Sequence, residues 1–249
     1  IEPAVGMLAC KDVGAGKLPK EELLYNHILQ EILYEKDLAG KKVLITAGPT
    51  CEPVDPVRIY TNRSSGKMGY SLAKECSLRG ADVTLVTGKT ALEPWPFVKV
   101  VPIETAQQMF EEVTSRAPEM DIIIKAAAVA DYRPKTVADE KIKKSDGEFV
   151  LEFERTQDIL KYLGEHKPNG QFLCGFSMET ENMLENSRSK LSKKNADMIV
   201  ANNLKVQGAG FAGDTNVVTM ITKDSVKELE LMSKDQVAHH IVDEIVSRI

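Results

Sequence analysis

A long loop rich in Gly, Pro, Ser and Asn carries the side chains best suited to chemistry in this sequence. It connects a short apolar segment, residues 43–47, to a helical pattern that starts at Met68. The polar and small residues ahead of that helix are Arg58, Asn62, Ser64, Ser65, Gly66 and Lys67. Because free N–H groups and the dipole at a helix N-terminus favour negative charge, we predict an anion and nucleotide-substrate site. The alternative is an ordinary connection with Gly and Ser turns, but the loop is much longer than the usual length of about 4 to 6 residues.

The loop matches neither of the two common nucleotide motifs. In a P-loop, Ser or Thr would follow Lys67 to bind magnesium, whereas Met68 follows it here, and Thr61 stands where the first Gly should be. A dinucleotide fingerprint also needs a leading Gly-x-Gly, and only Gly66 and Gly69 are present. A dinucleotide oxidoreductase is therefore disfavoured.

A second candidate segment, residues 126–133, follows an apolar strand predicted over residues 121–128. Open α/β sheets bind ligands beyond the carboxyl ends of their strands, so this segment and the first loop should lie at the same edge. Asp131 could hydrogen-bond a ribose hydroxyl or hold a divalent cation through oxygen. Equally, it could serve only to fix the turn.

Two dense groups of lysines lie further along the chain. They are Lys141, Lys143 and Lys144 in a loop, and Lys190, Lys193 and Lys194 at a helix end. Each has an ordinary explanation, because charge runs are usually solvated and cations relieve the dipole at a helix C-terminus. An acidic chain that binds a triphosphate must nevertheless collect positive charge locally, which favours a role in ligand binding.

The elements that would position these residues alternate between strands and helices. Apolar runs predict strands at residues 43–47, 82–87, 98–102, 121–128, 171–175 and 197–201. Helical patterns start at Met68 and Ser233 and cover residues 105–116, 157–165 and 180–195. Residues 217–222 and 227–231 predict a late hairpin. This order predicts a Rossmann-like α/β fold, with a mostly parallel, doubly wound sheet and an added antiparallel hairpin.

The composition limits the possible partners. The 249-residue chain has a formal net charge of -5 and a pI near 5.6, so no nucleic-acid partner is expected. No apolar run approaches the ~18 residues of a membrane span and no secretory signal is present, so we expect no membrane partner and a cytoplasmic location. The histidines lack metal or nucleophile–base spacing, and no Gly-x-Ser-x-Gly elbow occurs, which disfavours covalent hydrolysis.

Residues 1–40 form a predicted leader ahead of a main domain at residues 41–249. Residues 1–19 are rich in Gly, Ala and Pro and, taken alone, predict a flexible tail. Residues 19–36 predict an amphipathic helix, with an apolar side that includes Leu24, Ile28 and Ile32.

Several separated segments together resemble one enzyme family. They are ITAGPTCEPVDPVRIYTNRSSGKMG, AAAVADYRP with the following EKIKK, CGFSMET, and the pair Lys190 and Lys194. From about Lys42 to the end, the sequence resembles phosphopantothenate-cysteine ligase, also called phosphopantothenoylcysteine synthetase. The resemblance implies that the chain joins 4'-phosphopantothenate to L-cysteine in coenzyme A biosynthesis. It further implies CTP and Mg²⁺, an acyl-cytidylate intermediate, and release of pyrophosphate and CMP.

Carried over by position, the resemblance implies roles for individual residues. Asn62 would hold the phosphopantothenoyl group and serve the second half-reaction, and Lys141 would stabilise charge on the triphosphate. Further substrate contacts would come from Arg58, Ser64, Ser65, Gly66, Lys67, Ala127 and Ala128. The nucleotide site would comprise Lys125, Ala126, Ala127, Asp131, Lys141, Gln157, Asp158, Ile159, Leu160, Phe176, Lys190 and Lys194. Asp131 would also be the magnesium ligand. Gln157 replaces a Pro that relatives often carry, a small change if this segment meets the nucleotide through its backbone.

Residues 3–19 resemble the C-terminal flap of phosphopantothenoylcysteine decarboxylase, with Cys10 at its catalytic cysteine. Lys11 and Lys17 replace residues that are commonly Gly and Arg. This resemblance implies a bifunctional parent protein in which FMN belongs to a decarboxylase domain missing from this sequence, so we expect no decarboxylase activity. The ligase family also implies a homodimer, for which the late hairpin is a candidate interface.

A nucleotide-binding regulatory or scaffold module without turnover would keep the same fold and is the main alternative. Asn62 and Lys141 distinguish the two hypotheses, because a binding module would not need an amide facing a substrate carboxylate. The residues do not decide between CTP and ATP, since base selection depends on a few backbone and lysine contacts.

Overall fold

The computed structural model describes residues 1–144, 148–179, 182–203 and 213–249. Its α-helices are α1 (Glu21–Ile32), α2 (Lys67–Leu78), α3 (Ala106–Arg116), α4 (Ile159–Glu165), α5 (Met183–Lys193) and α6 (Lys234–Val246). Its first strands are β1 (Ala4–Met7), β2 (Val13–Lys17), β3 (Lys42–Ala47), β4 (Cys51–Pro53), β5 (Ile59–Thr61), β6 (Asp82–Thr87), β7 (Lys99–Pro102) and β8 (Ile122–Lys125). The later strands are β9 (Tyr132–Pro134), β10 (Phe153–Arg155), β11 (Phe172–Glu179), β12 (Met198–Asn203), β13 (Thr215–Asn216), β14 (Val218–Thr222), β15 (Val226–Glu228) and β16 (Met232–Ser233).

One large sheet organises the molecule, in the order β15-β14-β12-β11-β8-β3-β6-β7. The six strands from β12 to β7 are parallel, whereas β14 pairs antiparallel with β12 and with β15. In chain order, the parallel strands follow the 3-2-1-4-5-6 arrangement of doubly wound dinucleotide folds. The predicted Rossmann-like fold with an added hairpin is therefore confirmed. The chain direction across the sheet reverses between β3 and β8, which makes the crevice beyond these two strands the expected ligand site.

Both faces of the sheet are covered, which explains why its strands are apolar without alternation. Val43 and Ile45 pack on the side of α2 and α6, whereas Leu44 between them packs on the opposite side with α3 and α4. Each of these three side chains is fully buried. A strand with cover on both faces has no polar side, so periodicity is lost and only the apolar run remains as a signal.

Among the described residues, four two-stranded ribbons stand outside the large sheet, and none of their pairings was predicted. The long loop after β3 folds into the β4–β5 hairpin, and β9 pairs with β10. Tyr60 and Phe153 join these two ribbons, with their ring centroids 5.0 Å apart. Because both rings remain about 40% exposed, at 44% and 38%, the ribbons present aromatic surface to solvent.

The amino-terminal segment differs from the flexible tail that its composition predicts. Strands β1 and β2 pair antiparallel, with Val5 opposite Ala15 and Met7 opposite Val13. The backbone of Leu8 closes the hairpin by donating to Asp12 over 2.8 Å and accepting from Lys11 over 2.9 Å. Backbone pairing thus orders a segment whose side chains bury little surface.

Helix α1 is shorter than predicted and is attached to the main domain mostly by polar contacts. Gln30 donates to the carbonyl of Ser77 over 2.6 Å and accepts from the indole N–H of Trp95 over 2.9 Å. Asp37, after the helix, accepts from the guanidinium Nε of Arg79 over 2.9 Å. Ile32 on the predicted apolar side is 74% exposed, so this side is not covered as we expected.

The part of the chain that is described contains no helix long and apolar enough to cross a bilayer. Cys10, Cys51, Cys76 and Cys174 are free thiols. The first residues of the helix predicted at residues 180–195 lie outside the described residues.

Candidate active site

The loops that follow β3 and β8 are joined edge to edge beyond the sheet. Ala128 donates from its backbone N–H to the carbonyl of Gly48 over 3.0 Å, and its own carbonyl accepts from Thr50 over 3.2 Å. The hydroxyl of Thr46 accepts from the amide of Ala127 over 3.1 Å. These contacts extend the parallel pairing past the strand ends and give the crevice a rigid floor.

Helix α2 begins directly against this floor. Gly66 caps it with φ at 82°, in the left-handed region that favours glycine. A Cβ on Gly69 would lie 2.5 Å from the Cβ of Ala47, so the first turn of α2 sits closer to β3 than any other residue would allow. The N-terminus of α2 therefore lies at the crevice, where the helix dipole favours an anion.

A cavity of about 350 Å³ opens at this point. Many of the predicted site residues line it, namely Asn62, Ser64, Ser65, Gly66, Lys67, Lys125, Ala126, Ala127, Ala128, Asp131, Phe176 and Lys190. The structure thus brings the predicted substrate loop and part of the predicted nucleotide site around one space.

Asn62 is held in this cavity by the neighbouring loop. Its side-chain nitrogen donates to the carbonyl of Ala128 over 3.0 Å. The hydroxyl of Ser64, two residues on, accepts from the backbone N–H of Gly66 over 3.3 Å. Asn62 is therefore oriented by the β8 loop while the residues after it shape the start of α2.

Lysines give the other side of the cavity its positive charge. Lys125 ends β8, and Lys190, near the end of α5, donates to the carbonyl of Phe176 over 3.4 Å. Burial, followed by the positive charge of Lys190, lowers the pKa of Lys125 from 10.5 to about 8. A lysine in this state is held close to another cation, and an anion bound between them would relieve the repulsion.

Asp158 and Lys194 lie beside the cavity and do not line it. Lys194 donates to the carboxylate of Asp158 over 2.5 Å, and Asp158 also caps α4 by accepting from the amide of Lys161 over 2.9 Å. Burial raises the pKa of Asp158, but the hydrogen bonds from Lys194 and Lys161 outweigh it, so the pKa lies below its ordinary value. The pair ties the end of α5 to the start of α4.

The other predicted residues of this segment point elsewhere. The side chains of Ile159 and Leu160 are buried in the core, and Gln157 is exposed. A Cβ on Gly175 would lie 2.7 Å from Leu160, which shows how closely this side chain covers β11. Any contact of Ile159 or Leu160 with a nucleotide would have to use backbone atoms, as the sequence analysis expected for this segment.

Arg58 and Lys141 are brought near each other but away from the cavity. The carboxylate of Asp55 is paired with the Arg58 guanidinium and accepts from the backbone N–H of Ile142 over 3.1 Å. The Arg58 guanidinium also donates to the carbonyl of Ile142 over 3.2 Å. Lys141 therefore sits on a loop fastened to the tip of the β4–β5 hairpin, with its side chain exposed.

Asp131 is the predicted metal ligand, and it lines the cavity with an exposed side chain. Its backbone carbonyl accepts from Thr156 over 3.0 Å, which places it at the base of the β9–β10 ribbon. Within the described ranges, no three His, Cys, Asp or Glu side chains are grouped to hold a metal ion. A cation here would need most of its ligands from a bound phosphate.

Several lining residues were missed by sequence reasoning. Outside the two segments that the sequence analysis singled out, they are Ser177, Met178, Asn202, Asn216 and Lys234. Asn216 donates to the side-chain oxygen of Asn202 over 2.9 Å, which joins β13 to β12 at the cavity rim. A polar residue at the end of a predicted parallel strand, as at Asn202, was the available signal. A second available signal was Lys234, which directly follows the helix cap Ser233.

Known proteins are similar to this chain in both sequence and fold. The coenzyme A biosynthesis bifunctional protein CoaBC of Bacillus subtilis (strain 168) is 48% identical over 253 residues, which is 99% of this chain and 62% of that protein. The chain thus spans less than two thirds of the length of this relative. The crystal structure of the C-terminal domain of a CoaBC protein has a TM-score of 0.74 and 48% identity, over 86% of this chain and 97% of that one.

More distant proteins keep the fold. A Cab2 mutant in complex with phosphopantothenate-cysteine has a TM-score of 0.71 at 19% identity, over 92% of this chain and 94% of that one. The model of the DNA/pantothenate metabolism flavoprotein C-terminal domain matches residues 38–249. This match covers the whole sheet and every residue that lines the cavity. The chain therefore belongs to the family of the DNA/pantothenate metabolism flavoprotein C-terminal domain.

Proposed function

We propose that this chain is a CTP-dependent phosphopantothenate-cysteine ligase of coenzyme A biosynthesis. The observation that carries the proposal is the single cavity that joins Asn62, the N-terminus of α2 and the lysines Lys125 and Lys190. The names of the CoaBC relatives place them in the same biosynthesis, which supports the assignment. A site lined by an amide, small residues and lysines would act by positioning its substrates and stabilising charge.

The reaction divides into two transfers. A carboxylate oxygen of 4'-phosphopantothenate attacks the α-phosphorus of CTP, and the bond to the leaving pyrophosphate breaks. The amine of L-cysteine then attacks the acyl carbon, the bond to CMP breaks, and the amine loses a proton as the amide forms. Each step gathers negative charge, on the phosphates first and on the acyl oxygen second, so donors fixed at both positions would lower the barriers.

The two sides of the cavity suit these two steps. Asn62 and the α2 N-terminus, with Ser64 to Lys67, would bind the phosphopantothenoyl group, and the fixed amide of Asn62 would serve the second transfer. Lys125 and Lys190 would bind the triphosphate, with Phe176 beside them. Lys194 and Asp158 would hold the backbone from Gln157 to Leu160 in place for the nucleotide.

Magnesium would neutralise part of the triphosphate charge. Asp131 supplies the hard carboxylate oxygen that Mg²⁺ prefers, and it lines the cavity. Since no three acidic, histidine or cysteine side chains are grouped among the described residues, phosphate oxygens and water would complete the shell. FMN would belong only to a decarboxylase domain outside this sequence.

A single chain does not bring Lys141 and Arg58 to the cavity. Arg58 lies at the tip of the β4–β5 hairpin and Lys141 on the loop fastened to it, and neither lines the cavity that they would serve. We propose a homodimer in which the exposed aromatic surface of Tyr60 and Phe153 is covered by a second copy. Exposed apolar patches rich in aromatic side chains are typical of interfaces, so these ribbons are a better candidate than the late hairpin.

The experiment that tests this function uses the chain itself. It is incubated with 4'-phosphopantothenate, L-cysteine and Mg²⁺, with CTP or ATP supplied in turn, while pyrophosphate release and phosphopantothenoylcysteine are followed. Product with CTP supports the proposal. Product with ATP alone keeps the ligase and overturns the nucleotide assignment, whereas binding of CTP without product favours a nucleotide-binding module.

A further inference from the structure

Asp55, in the turn that joins β4 to β5, carries an almost completely buried carboxylate. Only 3% of this residue is exposed, although Val57 in the same turn is 63% exposed. A carboxylate tolerates burial only when hydrogen-bond donors surround its oxygens. The partners of the two Asp55 oxygens therefore show what this side chain holds in place.

The two oxygens of the carboxylate hold two different segments. Oδ1 accepts from the backbone N–H groups of Val57 and Arg58, each over 2.8 Å, which closes an Asx turn within the hairpin. Oδ2 accepts from the backbone N–H of Ile142 over 3.1 Å and from the guanidinium of Arg58. One oxygen therefore shapes the turn that contains Asp55, and the other holds a segment that follows 87 residues later.

The segment held by Oδ2 is fastened to the hairpin at further points. Ala138 donates from its backbone N–H to the carbonyl of Val54 over 3.1 Å. The guanidinium of Arg58 donates to the carbonyl of Ile142 over 3.2 Å, so both backbone polar groups of Ile142 have partners in the hairpin. The segment thus lies along the hairpin tip, and Lys141 directly precedes the residue whose backbone is held on both sides.

The charge of Asp55 strengthens these contacts. Burial raises the pKa of Asp55, but the backbone N–H groups of Val57 and Ile142 and the guanidinium of Arg58 outweigh it and lower the pKa to about 2. The carboxylate is therefore ionised at neutral pH, and hydrogen bonds to a charged acceptor are stronger than those between neutral groups. Ordering an exposed, charged segment costs conformational entropy, and a buried ionic contact beside Lys141 offsets that cost.

We propose that Asp55 is a positioning residue for Lys141: by holding the backbone N–H of Ile142, its Oδ2 sets where the Lys141 ammonium meets the triphosphate. This inference rests on the proposed function, in which Lys141 stabilises charge on the triphosphate as pyrophosphate leaves. Asp55 does not line the cavity and would touch neither the substrate nor the nucleotide. Its effect should therefore appear in the first transfer and should require Lys141.

Arg58 is the other group through which Asp55 could act, because the same Oδ2 pairs with its guanidinium. The predicted role of Arg58 is a contact with 4'-phosphopantothenate, whereas Lys141 would contact the nucleotide. An effect through Arg58 would raise the Kd for 4'-phosphopantothenate. An effect through Lys141 would slow pyrophosphate release at saturating substrates and leave that Kd unchanged.

The variant Asp55→Asn separates the two functions of the carboxylate. Asparagine forms the same Asx turn through its carbonyl oxygen, so the hairpin keeps its shape. The amide NH₂ group then stands at the position of Oδ2 and faces the N–H donors of Ile142 and Arg58, so the contact with the segment is lost. Asp139→Asn is the matched control, because it removes the same charge from an exposed position on the same segment.

The first transfer is followed without L-cysteine, as the single burst of pyrophosphate released from CTP by 4'-phosphopantothenate in the presence of Mg²⁺. Misplacement of a group that acts on the transition state costs up to about 100-fold in rate. Asp55→Asn should therefore slow the burst about 10- to 100-fold, and Asp139→Asn should match the wild type. Calorimetry should show the same Kd for 4'-phosphopantothenate in the wild type and in both variants.

The comparison that separates positioning from a general structural role combines Asp55→Asn with Lys141→Met. If Asp55 acts through Lys141, the double variant should be no slower than Lys141→Met alone, since the group to be positioned is already absent. A carboxylate that only stabilises the fold would slow the wild type and Lys141→Met by the same factor. Equal factors, a wild-type burst in Asp55→Asn, or a raised Kd for 4'-phosphopantothenate would overturn the proposal.

A second variant covers the case in which Asp55→Asn does not fold. Ile142→Pro removes the same hydrogen bond from the opposite side, because proline has no N–H, and it is compared with Lys141→Met in the same way. Failure of the proposed function is a distinct result, since the wild type would then release no pyrophosphate with 4'-phosphopantothenate, and both proposals would be overturned. When the wild type shows the burst, the variants test the positioning alone.

Discussion

The side-chain nitrogen of Asn62 lies 3.0 Å from the carbonyl oxygen of Ala128. That carbonyl also accepts from the backbone N–H of Thr50 over 3.2 Å. One acceptor thus links the loop after β3, the loop after β8 and the side chain proposed for catalysis. The position of Asn62 therefore depends on the pairing of two strand ends, and a change in its chemistry can be tested with little change in shape.

Replacement of Asn62 by Asp should stop ligation and spare nucleotide binding. The carboxylate would lose the hydrogen bond to Ala128 and would repel both that carbonyl and the substrate carboxylate. Loss of a single fixed donor costs about 100- to 1000-fold in rate in comparable sites, so we expect kcat to fall by at least about 100-fold. Calorimetry should show a Kd for CTP within about twofold of the wild type.

The control for this change is Asn169→Asp, which makes the same substitution in an exposed turn. It should leave both kcat and CTP affinity unchanged. An Asn62→Asp variant that retains ligation would show that the amide contributes no more than packing.

Lys190 and Lys193 offer a matched pair for testing the nucleotide side of the cavity. They lie three residues apart on α5, but Lys190 lines the cavity, whereas Lys193 is exposed. Loss of a charged contact to phosphate predicts a KM for CTP raised about 10-fold or more in Lys190→Met, with the KM for 4'-phosphopantothenate little changed. Lys193→Met should match the wild type in steady-state kinetics. Equal effects of both substitutions would mean that general charge, and not a contact, governs affinity.

The lowered pKa of Lys125 predicts a pH dependence of nucleotide binding. Because burial and Lys190 bring this pKa to about 8, Lys125 loses its charge as the pH rises through 8. The Kd for CTP should therefore increase between pH 7 and 9 when it is measured by calorimetry. Lys125→Met should bind CTP more weakly at pH 7 and show a smaller change with pH.

A rising pH should weaken nucleotide binding through Lys125, but it should increase the contribution of this side chain to the stability of the fold. A lysine whose pKa is lower in the folded state binds fewer protons than in the unfolded state between pH 8 and 10.5. In that range its contribution to the free energy of unfolding rises with pH. Chemical denaturation without ligand should show this rise relative to Lys125→Met, and a fall would contradict the lowered pKa of Lys125.

The proposed interface can be tested by a charge in the aromatic surface. Tyr60→Lys would place an ammonium group against the second copy and should convert dimers to monomers, as measured by light scattering after size exclusion. Val226→Lys introduces the same charge at the late hairpin, where the side chain is 37% exposed, and should leave the dimer intact. If Val226→Lys separates the dimer and Tyr60→Lys does not, the interface lies at the late hairpin.

The large sheet was predictable because its strands carry a strong local signal. Segments such as β3 and β8 are short apolar runs bounded by Gly, Pro or charged residues, and their order with the helices fixes the class of fold. Helix starts were also readable, since Thr105 and Ser233 form capping boxes with Gln108 and Gln236.

The short ribbons and part of the site were not predictable for the same physical reason. Strand β4 has three residues and ends at Pro53, and the amide of Cys51 donates to Glu104, far along the chain, over 2.7 Å. Lys234 looks like an ordinary first residue of a helix, because its burial depends on Gly213 and on the nearby start of α2. Strand β4 and the burial of Lys234 both depend on contacts between segments that are far apart in the chain. No local sequence pattern indicates such contacts.

The short connection between β2 and the anchored helix α1 limits how far the end of β2 can lie from that helix. Only residues 18–20 separate β2 from α1, so the end of β2 lies at most roughly 14 Å from the start of the helix. Gln30 and Asp37 hold that helix to the main domain through Trp95, Ser77 and Arg79. Any partner that binds the end of β2 is thereby tethered within roughly 14 Å of the start of α1, which raises its effective concentration near that helix.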